Sequence, residues 1–239
     1  MKVVVETLEG QIVSDYCFKG WLGAENAGYK TILHDLSGVS LMQDWYKEHR
    51  PMPIGSVTYM EYFFDLYDIE KPDPLQPNEN DTYLYVDKKK DLKYPTFVKP
   101  LRDVKKFTGF VAKSAAAWDL YPELEEWDGP YLCSEPFKYP ILSEWRYFIH
   151  KNKIVNVSSY NSEIPNKFPS NSDVLTLVGS LKDQGVEIAY TIDVAVLANG
   201  NTEFVELNDM WAIGPYGCDE DLYFEMLKDR WNQIILNNK

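Results

Sequence analysis

Ile188-Ala-Tyr-Thr-Ile-Asp193-Val-Ala-Val-Leu197, then Ala198-Asn-Gly-Asn201, then Thr202-Glu-Phe-Val-Glu206-Leu-Asn208 is the stretch that decides the fold. Two alternating runs flank Asn199-Gly200, the strongest short signal for a β-hairpin. If the turn is Asn199-Gly200, residues 198 and 201 face each other and Asp193 falls opposite Glu206. If it is Gly200-Asn201, Asp193 falls opposite Asn208. In either register Asp193, Glu206 and Asn208 share one face, because side chains alternate along a strand. The other face carries Ile192, Val194, Val196, Val205 and Leu207, which reads as core. Opposed side chains stand about 5 Å apart at Cβ, and two facing carboxylates repel unless a positive group lies between them. Hard oxygen donors on rigid strands suit Mg²⁺, which uses one or two carboxylates and then substrate phosphates.

Upstream lies a second hairpin pattern, Trp145–His150, a Lys-Asn turn and Lys153–Ser158. Within it Glu144 and Arg146 are two apart and so point the same way. They read either as a surface ion pair of little value or as an arginine aimed at phosphate. Further upstream, within Tyr94-Pro-Thr-Phe-Val-Lys99-Pro100, Thr96–Lys99 reads as a short apolar strand ending on a lysine, and Phe107–Ala112 as a second short strand after a loop. Arg102, Lys105 and Lys106 follow, then Phe107-Thr-Gly109-Phe-Val111. Such a cationic turn is either solvated or a phosphate cradle whose backbone comes close at Gly109. Tyr131–Phe137 reads as one more strand, and Asp173–Asp183 and Asp219–Leu236 as helices.

The first part of the chain alternates differently. Strands are expected at Lys2–Glu6, Thr31–His34 and Ile54–Val57, with helices over Tyr16–Ala27, Leu41–Arg50 and Tyr59–Leu66. Strands alternating with helices imply a small α/β lobe with a mainly parallel sheet. Three prolines between Lys71 and Asp81 interrupt helix and strand alike. The expected division is residues 1–80 as an N-terminal α/β lobe and 81–239 as a larger α+β region rich in antiparallel sheet. A cleft between lobes is a common ligand site.

Composition narrows the function classes. The 239 residues carry 24 Lys+Arg against 37 Asp+Glu, net −13. That field repels phosphate backbones and anionic lipid, which disfavours nonspecific nucleic-acid binding and a polybasic membrane anchor. An anionic ligand must then be met by a local basic cluster or a metal ion. Cys17, Cys133 and Cys218 are few, odd in number and far apart, which fits buried small hydrophobes in a reducing cytoplasm. No run approaches 18 apolar residues and the first residues read as a strand, so no membrane span or signal peptide is expected. No familiar nucleophile motif surrounds His34, His49 or His150.

In order and kind these elements resemble the ATP-grasp superfamily from Tyr94 to Gly217. The resembling motifs are Phe97-Val-Lys-Pro100, Ser134-Glu-Pro-Phe137, Glu144-Trp-Arg-Tyr-Phe148, and Asp193-Val-Ala-Val196 paired with Val205-Glu-Leu-Asn208. Pro53-Ile-Gly-Ser-Val57, Glu206-Leu-Asn208 and Gly214-Pro-Tyr-Gly217 resemble the phage and bacterial clade named for an arginine and two lysines. The resemblance implies an ATP-grasp fold, with a small N-terminal α/β lobe before the antiparallel nucleotide-binding region. It implies Lys99 on the ATP phosphates, with Lys105 or Lys106 and the backbone at Gly109 beside it. It implies Glu135 and Phe137 where a strand meets the adenine, with Glu144 also at the nucleotide. Arg146 would face the γ-phosphate or an acyl phosphate, and Asp193, Glu206 and Asn208 would hold Mg²⁺ or Mn²⁺. The glycine-bearing loop is short here, and Lys88, Lys89, Lys90 and Lys93 are the candidates for a further phosphate lysine.

The implied activity is that of an ATP-dependent ligase joining a carboxylate to an amine, or to a thiol, through an acyl phosphate. The acceptor would be a small molecule, a peptide or an aminoacyl group, and the setting cytoplasmic. The alternatives are a phosphotransferase that stops after phosphorylation and a nucleotide-binding or interaction protein without turnover.

Overall fold

Three consecutive valines, Val3 to Val5, are fully buried. They form the middle of β1 (Lys2–Glu6), flanked by β2 (Lys30–His34) and β3 (Met52–Ile54) in a parallel sheet ordered β2-β1-β3. A β-branched run with no polar alternation is what a parallel strand covered on both faces requires. The computed structural model describes residues 1–12, 14–73, 75, 84–101, 107–121, 124, 129–162, 167–183, 185 and 187–238, with backbone alone at 160–162. It divides into two compact units, Met1–Leu75 with Leu142–Lys239, and Gln76–Ile141.

In the larger unit α1 (Asp15–Asn26) begins at Ser14, whose side chain accepts from the Cys17 amide. The helix expected over Leu41–Arg50 is α3 (Gln43–His49), and a further short helix, α2 (Leu36–Leu41), precedes it across Met42. Asp35 caps α2, its Oδ1 accepting from the Gly38 amide at 2.7 Å. The third strand ends at Ile54 because Ser56 already caps α4 (Val57–Tyr67). The last helix, α6 (Glu220–Asn237), returns to pack on α1. Its Phe224 and Trp231 join Tyr46, Tyr59, Phe63, Phe64 and Tyr67 in one core.

A second sheet of this unit is ordered β11-β10-β8-β9. Its strands are β8 (Ile141–His150), β9 (Lys153–Ser162), β10 (Ala189–Leu197) and β11 (Thr202–Asp209). Lys151 and Asn152 are both left-handed, the two-residue turn that the Lys-Asn pair suggests. One face packs Trp145, Tyr147 and Ile149 of β8 and Tyr190, Ile192, Val194 and Val196 of β10 against Val174, Val178 and Leu181 of α5 (Asn171–Asp183). That apolar layer fixes which side chains of β8 and β10 point the other way.

The smaller unit is a four-stranded antiparallel sheet, β4-β7-β5-β6, over a core of Val98, Phe107, Trp118, Leu124, Tyr131 and Cys133. Its strands are β4 (Leu84–Val86), β5 (Thr96–Pro100), β6 (Phe110–Ala112) and β7 (Tyr131–Ser134). The strand expected over Tyr131–Phe137 stops at Ser134, as suits a chain whose Pro136 has no amide to donate. The strand expected over Phe107–Ala112 begins only at Phe110, with Phe107 in the core instead. Among the described residues no helix is long and apolar enough to cross a membrane.

Candidate active site

The turn between β10 and β11 is neither of the two expected. Leu197 and Asn201 close a three-residue loop: the Gly200 amide donates to the Leu197 carbonyl at 2.8 Å and the Leu197 amide to the Asn201 carbonyl at 2.9 Å. Gly200 has φ +90°, a conformation that glycine adopts at no steric cost. This loop alone would leave Asp193 opposite Val205. The pairing runs Val196–Thr202, Ala195–Glu203, Val194–Phe204, and then slips, so that Asp193 lies opposite Glu206 and Thr191 opposite Asn208. Val205 is the extra residue of a β-bulge. A slip of one residue moves every later side chain to the other face. The bulge at Val205 therefore puts Glu206 and Asn208 on the face of Asp193, and Val205 is no regular member of the apolar face.

The positive group between the carboxylates is Arg146. Its Nε donates to Asp193 Oδ1 at 2.8 Å and its Nη2 to Asp193 Oδ2 at 2.6 Å, and the same Nη2 lies 4.0 Å from Glu206 Oε1. Asn208 Nδ2 donates to Asp193 Oδ2 at 3.2 Å and to Glu206 Oε1 at 3.1 Å. The Tyr216 ring lies over the guanidinium, 4.5 Å from its central carbon. The Asp193 side chain is fully buried, whereas that of Glu206 is 30% exposed, so Glu206 is the more accessible oxygen donor. Burial pushes the Asp193 carboxyl up to about 6 against the lowering pull of Arg146.

The structure thus brings Asp193, Glu206, Asn208 and Arg146 together. Glu144 lies on the same strand as Arg146, opposite Asn161. In the smaller unit, Lys99 is half-buried near the end of β5, on the face away from the core residue Val98. Gly109 lies against it: a Cβ there would stand 3.2 Å from the Lys99 Cβ and 2.5 Å from the Phe97 ring. A side chain at this position would have to displace the Phe97 ring. Glu135 and Phe137 are exposed just beyond the end of β7. Lys105 and Lys106 lie outside the described residues, as does Arg102. Of the upstream lysines, Lys89 donates to the Leu124 carbonyl at 3.1 Å and lies over the Trp118 ring, while Lys88, Lys90 and Lys93 are exposed.

Two features escaped the sequence reading. Tyr216 carries no motif chemistry of its own beyond its place in Gly214-Pro-Tyr-Gly217. Arg230 of α6, 1% exposed, grips Asp209 at 2.7 and 2.6 Å, one residue beyond Asn208, and also donates to Glu187 at 2.8 Å. All three cysteines are buried and free. Burial pushes Cys17 up to about 12 and Cys133 and Cys218 up to about 11, so none is a ready nucleophile. A second donor cluster, His150 with Glu225 and Asp229, is already met by a cation: Lys151 lies 2.7 Å from Asp229 and 3.4 Å from Glu225.

On β10 and β11 the chemistry of Glu206, partly open to solvent, and of the Asn208 carboxamide fits a hard dication, whereas both oxygens of Asp193 are already met by Arg146 and Asn208.

The fold is shared with solved structures of low identity. A RimK domain ATP-grasp protein from Sphaerobacter thermophilus superposes with a TM-score of 0.57 at 9% identity, over 96% of this chain and 99% of that one. The N5-carboxyaminoimidazole synthetase of Staphylococcus aureus gives 0.56 at 9% identity, over 96% of this chain and 77% of that one. Its complex with ADP gives 0.54 at 10% identity, with the same coverage. No curated protein sequence matches. Residues 79–226, more than half of the chain, match the family model described as ATP-grasp domain, R2K clade family 2, and the chain belongs to that family.

Proposed function

We propose that this protein is an ATP-dependent ligase that joins a carboxylate to an amine through an acyl phosphate. The observation that carries the reading is the convergence of Asp193, Glu206, Asn208 and Arg146 on one face of a sheet whose other face is apolar. Glu206 and Asn208, backed by Asp193, would hold Mg²⁺ or Mn²⁺. The ion, when bound, supplies charge neutralisation on a transferring phosphoryl group. Lys99 would bind ATP phosphate oxygens, with the backbone at Gly109 beside it and Lys105 or Lys106 as a further contact. Glu135, Phe137 and Glu144 would serve the adenosine part.

Arg146 would act where charge develops. A substrate carboxylate oxygen attacks the γ-phosphorus and ADP leaves. The amine then attacks the acyl carbon, loses a proton, and inorganic phosphate leaves. Each step gathers negative charge on phosphate oxygens. A guanidinium whose edge is already fixed by Asp193 stabilises that charge without reorganising. No side-chain nucleophile is needed, in keeping with the raised thiol pKa values.

The test is a screen of amino acids and peptides with ATP and Mg²⁺ for substrate-dependent release of ADP and phosphate. With an ¹⁸O-labelled carboxylate, the label should pass to inorganic phosphate. Release of ADP with a stable phosphorylated product, and no inorganic phosphate even with amines present, would favour a phosphotransferase. No ADP release with any substrate would leave only a binding role.

A further inference from the structure

Tyr216 has φ +41°, in the left-handed region that residues with side chains rarely adopt. Its ring is not driven there by burial, since the residue is 43% exposed. The loop around it is nonetheless held firmly. Tyr223 donates to the Ile213 carbonyl at 2.5 Å, Lys19 to the Cys218 carbonyl at 2.7 Å, and the Cys218 amide to the Pro215 carbonyl at 2.7 Å. A Cβ on Gly214 would come within 2.8 Å of the Tyr216 ring, so the ring is backed closely by its own loop. The ring also covers the Arg146 guanidinium, at 4.5 Å. A strained residue held in place by its surroundings is the pattern of a functional constraint.

We infer that Tyr216 is a positioning residue for Arg146, and that together they read the terminal phosphate of a nucleoside triphosphate. This rests on the reading of Arg146 given above. Asp193 fixes the edge of the guanidinium and Tyr216 covers one face. A planar cation held at edge and face keeps one orientation. Cation–π contact at this range also favours the charged group where water is partly excluded. The pair therefore favours a triphosphate over a diphosphate.

The experiment needs no acceptor. Calorimetry with Mg²⁺ measures the affinity of the full chain for a non-hydrolysable ATP analogue and for ADP, and the ratio isolates the γ-phosphate. Wild type should prefer the analogue. Tyr216→Gly relieves the backbone strain and removes the ring. It should melt no lower than wild type and lose about tenfold of the preference. Tyr216→Phe keeps the ring and should restore most of it. In an Arg146→Lys background Tyr216→Gly should change the ratio no further, since coupled residues are not additive. A wild type that binds neither nucleotide overturns the functional reading and this inference with it. A wild type that prefers the analogue, with Tyr216→Gly preferring it equally, overturns the role of Tyr216 alone.

Discussion

Asp193 and Arg146 form a two-pronged ion pair, at 2.8 and 2.6 Å, with neither side chain more than 5% exposed. The opposed carboxylates of Asp193 and Glu206 are therefore compensated by an arginine of the chain itself. Arg146→Met removes the cation and leaves Asp193 buried without its partner. Breaking a buried pair in this way costs about 3–5 kcal/mol. Urea unfolding at pH 7 should show a loss of that order, with part of it recovered at pH 5 as Asp193 takes up a proton. An unchanged midpoint would mean that the pair contributes nothing to the fold.

The pH dependence of the wild type has a definite sign. In the folded chain Asp193 titrates at about 6, against 3.8 in the absence of burial. Between these values the folded state holds the proton more tightly than the unfolded one. The contribution of Asp193 is fully present below about pH 4 and is lost as pH rises through about 6. Asp193→Asn removes the titrating group but leaves the buried Arg146 guanidinium without its carboxylate, so it should be less stable than wild type at pH 7. Its stability should lack the part of the slope between pH 4 and 6 that wild type shows. Parallel stability curves for the two proteins would contradict this.

Glu206→Gln should separate metal binding from folding. The side chain is 30% exposed and 4.0 Å from Arg146, so losing its charge should change stability by less than about 1 kcal/mol. If Glu206 is the accessible metal ligand, the Mg²⁺ concentration that half-saturates ATP binding should rise several-fold, with partial rescue by Mn²⁺. An unaltered Mg²⁺ requirement would move the metal elsewhere.

How far these features can be read from the sequence depends on how local they are. The hairpin around Asn199-Gly200 is legible in the sequence, and counting from a two-residue turn puts Asp193, Glu206 and Asn208 on one face, as they are, although the chain reaches that arrangement by another route. The three-residue loop and the bulge at Val205 are not legible, because two one-residue shifts cancel over the distance that counting can reach. Arg146 is recognisable as an arginine on a strand, but its partner is set by the adjacency of β8 and β10, which are separated by β9 and α5. The pair of Arg230 with Asp209 depends likewise on how the last helix returns to the sheet. The helix Leu36–Leu41 is too short to show a helical period of its own, although the Asp35 that caps it is visible in the sequence.

That distant pair gives a stability prediction of its own. Arg230→Met leaves Asp209 buried and unpaired at the end of β11, and strips Glu187 of its guanidinium as well. The expected loss is about 3–5 kcal/mol, read as a fall in melting temperature of roughly 6–20 °C for a chain of this size. A change under about 2 °C would show that the helix holds the strand by apolar packing alone.

The central claim of the proposal is that this chain binds ATP together with Mg²⁺, with Glu206 and Asn208, backed by Asp193, as the residues that would hold the metal. Its most direct test is the melting temperature of the wild-type chain with ATP alone, with Mg²⁺ alone and with both. Ligand at about a hundred times its dissociation constant adds about 2.7 kcal/mol by mass action, which is roughly 5–10 °C here. The account predicts a rise of that order with both together and much smaller rises with either alone. No rise in millimolar ATP with Mg²⁺ would contradict it.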